Sequence, residues 1–329
     1  MARILRGGGE PVSRQHQRLR HVLGALLVTV AVLTAACGGG PTPGLALAHN
    51  GLLADYAFDK AAPTSSLTPA FVLGGTAGPR LAKVSLRSSG LYVHVDPHQQ
   101  GTWRGYYATT AATFPANSVV QVRMWRPQVS VSGTDSGLAL LAVQTGPCCL
   151  LNYVLVAGVL TKGHQTWLIG HANGSGKNTK TKVLSDQASA ATSEDITLRT
   201  NGKSQYSVYF GDTLVYESNS LKLGIAPPLR VYLEVEARGM GYTTWFQHFR
   251  VAAGTSVQVK GLHPGDRVSL TPAGDATIHA VANSTGKANL QLPLTEAVGK
   301  GTLTINGPHL RRRFTHLTFA GGDVYNFTA

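Results

Sequence analysis

The strongest constraint on this chain is a period-two alternation across residues 194–251. Ile196 and Leu198, then Tyr206, Val208 and Phe210, then Val231, Leu233, Val235 and Ala237 recur at every second position with polar residues between them. Successive side chains of a strand point to opposite faces, so the pattern predicts a half-buried antiparallel sheet with one apolar face. Asn201-Gly202 and Gly211-Asp212 separate the runs and supply the positive φ that tight hairpin turns require.

The same signature extends in both directions. LYVHVDP, TWRGYYATT, SVVQVRMWR, SGLALLAVQT, LNYVLVAGVL, QTWLIGHA and TKVLSD are each of strand length and bounded by turn formers. Residues 138–143 and 154–160 are apolar at every position, as expected of central strands covered on both faces. Residues 61–80, rich in Pro, Ser and Gly, are read as loop. With 38 glycines and few polar helical stretches, the chain is expected to be all-β. Its 329 residues allow two domains with real cores. The first is placed at 51–253. The second, at 254–329, holds the short runs TSVQVKG, DRVSLTP, ATIHAVAN, KANLQLP, GTLTIN and RRFTHLTF. It is similar to small immunoglobulin-like or prealbumin-like β modules, and is expected to pack on the first domain or serve as a spacer.

The hairpin EDITLRTNGKSQYSVYFGDTLVYE, followed by PLRVYLEVEA and FQHFRV, resembles the closing strands of concanavalin A-like (LamG-like) lectin and glucanase sandwiches. The resemblance implies a jelly-roll of two stacked sheets and a carbohydrate ligand.

At the N-terminus, residues 1–21 are polar and carry Arg, and residues 22–36 form an apolar run. A bilayer core needs about 20 helical residues, whereas this run has the length of a signal-peptide apolar region. It ends in Thr34-Ala35-Ala36-Cys37-Gly38, which resembles a bacterial lipobox, with Thr34 where Leu is commonest. The resemblance implies that 1–36 is a signal peptide and that Cys37 becomes a diacylglycerol-bearing, palmitate-type lipidated N-terminus. The protein would then be a lipoprotein anchored on the outer face of the bacterial cytoplasmic membrane, in the cell envelope. The competing readings are a cleaved secretory signal with a chance Cys, or an uncleaved anchor. Residues 37–50 are read as a Gly/Pro-rich tether that does not pack.

The net charge is +13, and the first 36 residues contribute five Arg against one Glu. What remains is basic enough to meet anionic cell-wall polymers. No basic helix or stacked-aromatic RNA motif accompanies it, so nucleic acid is not an expected partner.

Candidate chemistry is sparse. Glu234 and Glu236 share a strand face, and two nearby carboxyls are what glycosidic hydrolysis uses. Glucanases of the fold resembled carry Glu-x-Asp-x-x-Glu, whereas here Arg238 and Gly239 follow and no third acid completes the pattern. The pair is therefore a weak catalytic candidate beside its reading as an ordinary polar face.

Aromatic residues offer a binding candidate. Arg123 and Trp125 share one strand face, and Trp167 and His171 share one face of a later strand. If both faces line one cleft they form a stacking platform for a sugar; the competing reading is core packing. No HExxH or Cys/His cluster suggests a metal, and no cofactor is expected, although Ca²⁺ is common in sandwich lectins. Gly174-Ser175-Gly176-Lys177-Asn178 lacks the Ser or Thr of a phosphate loop after Lys177 and is read as a turn. Cys148-Cys149 is either a vicinal disulfide, strained because adjacent Cα atoms lie ~3.8 Å apart, or two buried thiols. Arg311-Arg312-Arg313 either faces an anionic polymer or is a solvated strand edge. The function expected first is non-enzymatic binding of glycan or wall polymer. A glycoside hydrolase or lyase on the same sandwich is second, and an adhesion scaffold third.

Overall fold

The computed structural model describes residues 44–46, 51–56, 58, 71–75, 82–87, 90–96, 103–110, 113–128, 136–145, 152–161, 164–173, 180–187, 191–239, 241–308 and 310–328. The signal segment, Cys37, Cys148, Cys149 and the turn at 174–179 lie outside these residues. All described strands fall within Pro43–Ala329, which is one compact unit.

Two large sheets form the main sandwich. The seven-stranded sheet runs, in spatial order, β11 (Lys180–Gln187), β10 (His164–Asn173), β9 (Tyr153–Thr161), β8 (Ser136–Thr145), β15 (Leu229–Arg238), β6 (Trp103–Thr110) and β3 (Phe71–Gly75). The facing sheet runs β14 (Thr213–Ser218), β13 (Tyr206–Phe210), β12 (Ser193–Thr200), β7 (Ser118–Trp125), β16 (Tyr242–Ala252), β5 (Gly90–Val95) and β4 (Ala82–Arg87), with β2 (Leu52–Tyr56) paired to β16 as the eighth strand. Alternate side chains enter the space between the sheets: Val120, Val122 and Met124 from β7 meet Leu141, Val143, Val154, Val156, Leu233 and Val235 from the other side. Period-two burial of this kind locks register, because a one-residue slip would turn every apolar side chain outward.

The expectation for residues 138–143 and 154–160 is met. β8 and β9 lie at the middle of the seven-stranded sheet, and Leu140, Ala142, Leu155 and Ala157 are buried on the face away from the sandwich core. The hairpin turn at Asn201-Gly202 is also as read. Asn201 Oδ1 accepts the N–H groups of Lys203, Ser204 and Gln205, and Gly202 has φ 72°.

Three readings are corrected. The alternating stretch 194–251 is not one sheet: β12, β13, β14 and β16 lie in the eight-stranded sheet, but β15 crosses to the middle of the other. Alternation fixes which side chains share a face and carries no information about the partner strand. Residues 71–75, read as loop, form edge strand β3 because β6 offers a ladder to pair with. Residues 44–46, read as part of an unpacked tether, form β1 (Gly44–Ala46), in register with residues 326–328, and Leu45 packs on an apolar core.

That core belongs to the C-terminal module. One four-stranded sheet runs β1, β23 (Val324–Thr328), β17 (Ser256–Lys260) and β20 (Lys287–Gln291); the other runs β19 (Ile278–Val281), β18 (Arg267–Pro272), β21 (Val298–Asn306) and β22 (Arg311–Ala320). Val257, Val259, Leu270, Leu290, Ile305, Phe319 and Tyr325 fill the space between them. A small apolar cluster of Val119, Ala252, Ala297, Val298 and Ala320 joins this module to the sandwich.

Candidate functional site: an aromatic row opening into a cleft

Alternation in three strands of the eight-stranded sheet sends one set of residues into the core and the opposite set outward. From β5, Leu91 and Val93 point in and Tyr92 out; from β16, Thr244 and Phe246 in and Trp245 out; from β7, Val122 and Met124 in and Arg123 and Trp125 out. Register places Trp245 directly opposite Tyr92. The Tyr92 and Trp245 rings lie 5.4 Å apart edge to face, and the Trp245 and Trp125 rings 6.2 Å apart in the same arrangement. A guanidinium closes each end: Arg87 lies 3.6 Å over the Tyr92 ring and Arg123 5.6 Å over Trp125. Stacked guanidiniums keep their N–H edges directed outward, pre-set for an oxygen-bearing ligand.

Arg123 also lines a cleft of about 530 Å³ between this face and the C-terminal module. Gln121, His248 and Arg250 stand on the sandwich side, and Asp275, Thr295 and Glu296 on the other. The seam is fixed by Gln121, whose amide Nε2 donates to the backbone carbonyls of Thr295 at 2.8 Å and Leu294 at 3.4 Å. His248 occupies a bulge in β16, at φ 51°, which gives the strand one extra residue opposite β7 and brings the exposed ring to the cleft wall. Arg123 pairs with Asp195 at 3.5 Å, and Arg250 with Asp55 at 3.0 Å. Burial and the neighbouring Asp275 raise the Glu296 carboxyl above its ordinary pKa. The walls alternate donors and acceptors of both signs, a lining suited to a hydroxyl-rich ligand rather than an apolar one.

Of the residues expected to form a binding platform, the structure brings together Arg123 and Trp125 and separates the other two from them. Trp167 is 0% exposed, lies in the sandwich core with its edge toward Phe210, and donates Nε1–H to the Ala191 carbonyl at 3.4 Å. His171 is also buried and donates from Nε2 to the Leu223 carbonyl at 3.2 Å. Both side chains share a face, as alternation required, but that face is the core, where an indole's large apolar area is most stabilising. Tyr92, Trp245 and Arg87 were missed; the signal available was that Tyr92 and Trp245 are the aromatic members of otherwise polar faces.

Glu234 and Glu236 lie on the outward face of the seven-stranded sheet, beside Leu140 and Leu138 of β8. Glu234 is 6% exposed, and its Oε2 has no hydrogen-bond partner among the described residues. Burial, before any other cause, pushes both carboxyls above their ordinary pKa. Retaining glycosidases hold their carboxyls ~5–5.5 Å apart and inverting ones ~6.5–9.5 Å, with the scissile bond between. Glu234, buried as it is, does not stand open beside such a gap. Among the described residues, no group of three His, Cys, Asp or Glu is placed to hold a metal ion.

No family model matches the chain, and no curated protein matches it. Solved structures resemble part of the chain at low identity. One comes from work on endo-acting O-glycanases of the human gut microbiota, at 12% identity and TM-score 0.47, over 61% of this chain and 99% of that one. LamAcat of Zobellia galactanivorans follows at 11% and 0.44, over 62% and 98%. The potassium-bound Emp46p carbohydrate recognition domain aligns at 12% and 0.42, over 60% and 95%. These likenesses stay below a TM-score of 0.5, so the functional argument rests on the geometry of the outer face.

Proposed function

We propose that this protein is an exported, lipid-anchored envelope protein whose sandwich binds a glycan or cell-wall polymer without cleaving it. The observation that carries the reading is the half-buried row Tyr92–Trp245–Trp125, closed by Arg87 and Arg123 and continuous through Arg123 with the polar cleft. Indole and phenol rings give apolar area for the C–H faces of sugar rings, and the cleft supplies hydrogen bonds for their hydroxyls. Anchoring is supported by the order of basic segment, apolar run and Thr34-Ala35-Ala36-Cys37.

The test is retention of the protein on a panel of wall polysaccharides and oligosaccharides. Trp245→Ala is expected to weaken retention by roughly 5- to 150-fold, the range of ~1–3 kcal/mol for a buried aromatic contact, with the fold intact. Glu234→Gln should leave retention unchanged and produce no change in the released sugar. Turnover of a glycan that Glu234→Gln abolishes would replace binding with hydrolysis, and absence of retention by the native protein would leave only the scaffold reading. For the anchor, Cys37→Ala should abolish lipid labelling; normal labelling of that variant would overturn it.

A further inference from the structure

We propose that the outward face of the sheet β19–β18–β21–β22 docks the C-terminal module on a layer of anionic phospholipid headgroups. The four strands read RVSLTP, IHAV, VGKGTLTIN and RRRFTHLTFA, and none contains an Asp or Glu. Their inward positions, Val268, Leu270, Leu303 and Ile305 among them, are buried in the module core, which leaves the alternate set to solvent. Register assembles that set into rows. Arg267, Asn306 and Arg311 lie side by side, with Ser269, Thr304 and Arg313 in the next row. Lys300 and Thr318 pair farther along. Arg267, Lys300, Arg311 and Arg313 are all exposed.

These cations differ from those of the sandwich. There, Lys83 pairs with Asp96 at 3.3 Å, Arg123 with Asp195 and Arg250 with Asp55. On the module face none of the four makes an ion pair among the described residues, and two of the module's acids, Asp266 and Asp323, are buried. Short Ser, Thr and Asn side chains fill the rows between the cations, so the donors are spread over a flat sheet face, about 4.8 Å from strand to strand. A dispersed cationic plane complements a plane of phosphates, whereas a single polymer chain is better matched by a stripe or groove. Connectivity points the same way. Only six residues separate Cys37 from β1 at Gly44, so an anchor at Cys37 would tether the chain by this module.

The proposal is independent of the aromatic row, and its test needs no lipid anchor. A soluble chain beginning at Gly38 keeps every described strand and both cores. It is mixed with vesicles of phosphatidylcholine plus phosphatidylglycerol, and with vesicles of phosphatidylcholine alone. Binding is expected only to the anionic vesicles, weakening as salt rises. The triple variant R267Q/R311Q/R313Q should bind roughly 100-fold more weakly, at ~5-fold per cation. Arg→Lys at the same three positions should retain binding, which separates lost charge from a damaged fold. Trp245→Ala should bind vesicles as the native chain does. Equal partition onto neutral vesicles, undiminished binding of the triple Gln variant, or retention on soluble polyphosphate without vesicle binding would each overturn the proposal.

Discussion

Gly51 donates its backbone N–H to Asp323 Oδ1 at 2.8 Å, across 272 residues of sequence, and so ties the start of the sandwich to the last turn of the C-terminal module. Asp323 is 0% exposed, and its Oδ2 accepts the N–H of Ala320 at 2.8 Å and the hydroxyl of Tyr325 at 3.0 Å. One carboxylate thus satisfies donors from both parts of the molecule. Asp323→Ala would strand the N–H groups of Gly51 and Ala320 in a buried site, at ~1–3 kcal/mol for each group left unpaired, while the Tyr325 hydroxyl keeps the Thr318 carbonyl. A loss of about 3–5 kcal/mol in urea denaturation is expected; a loss below about 1 kcal/mol would show that water replaces the carboxylate.

Trp167 and Trp245 should separate cleanly by experiment. Trp167 is wholly buried between the sheets, so Trp167→Ala is expected to cost about 3–5 kcal/mol of stability through the cavity it leaves. Trp245 is half-buried on the outer face, and Trp245→Ala should cost much less. Equal destabilisation by the two variants, read from denaturation midpoints, would contradict this placement.

The buried carboxyl pair gives a pH dependence with a definite sign. Glu234 and Glu236 have folded pKa values above the ordinary 4.5, chiefly through burial, so the native state holds protons that the unfolded chain has released. Their contribution is fully present below about pH 4.5 and is lost as pH rises through the raised folded values. Stability should therefore fall with rising pH above that point, to the extent that these groups dominate. Glu234→Gln keeps the shape and hydrogen-bonding capacity of the side chain and removes the titration of Glu234. It should flatten the slope and raise the urea midpoint at neutral pH but not below about pH 3.5, where folded and unfolded chains both carry the proton. An unchanged slope would show that the pair does not titrate in this range.

The seam between the modules makes a fourth prediction. A chain ending at Gly254 uncovers Val119, Ala252 and the partly buried Leu52, and removes the Asp323 tie to Gly51. Its strands still pair within the sandwich sheets, so it should unfold cooperatively but at a lower midpoint than the longer chain. Identical midpoints would mean that the seam contributes nothing to the sandwich.

Much of the architecture was legible in the sequence. The strand segments, the all-β class, the central position of residues 138–143 and 154–160 and the Asn201-Gly202 turn all follow from side-chain periodicity and turn chemistry, which act over a few residues. The pairing of Arg123 with Trp125 on one face was likewise a local, two-residue relationship. Residues 44–46 were not legible, because three residues carry no measurable period and their strand exists only against β23.

By itself, then, the sequence determined which side chains lie together on a strand, since period two is a property of the extended backbone alone. Tertiary structure decided which of those faces became core. Trp167 and His171 share a face turned inward, while Trp125 found Trp245 and Tyr92 only because β7, β16 and β5, far apart in the chain, pair side by side. The raised pKa values of Glu234 and Glu236 also came from tertiary burial, because desolvation depends on what covers a carboxyl, and spacing along a strand does not report it.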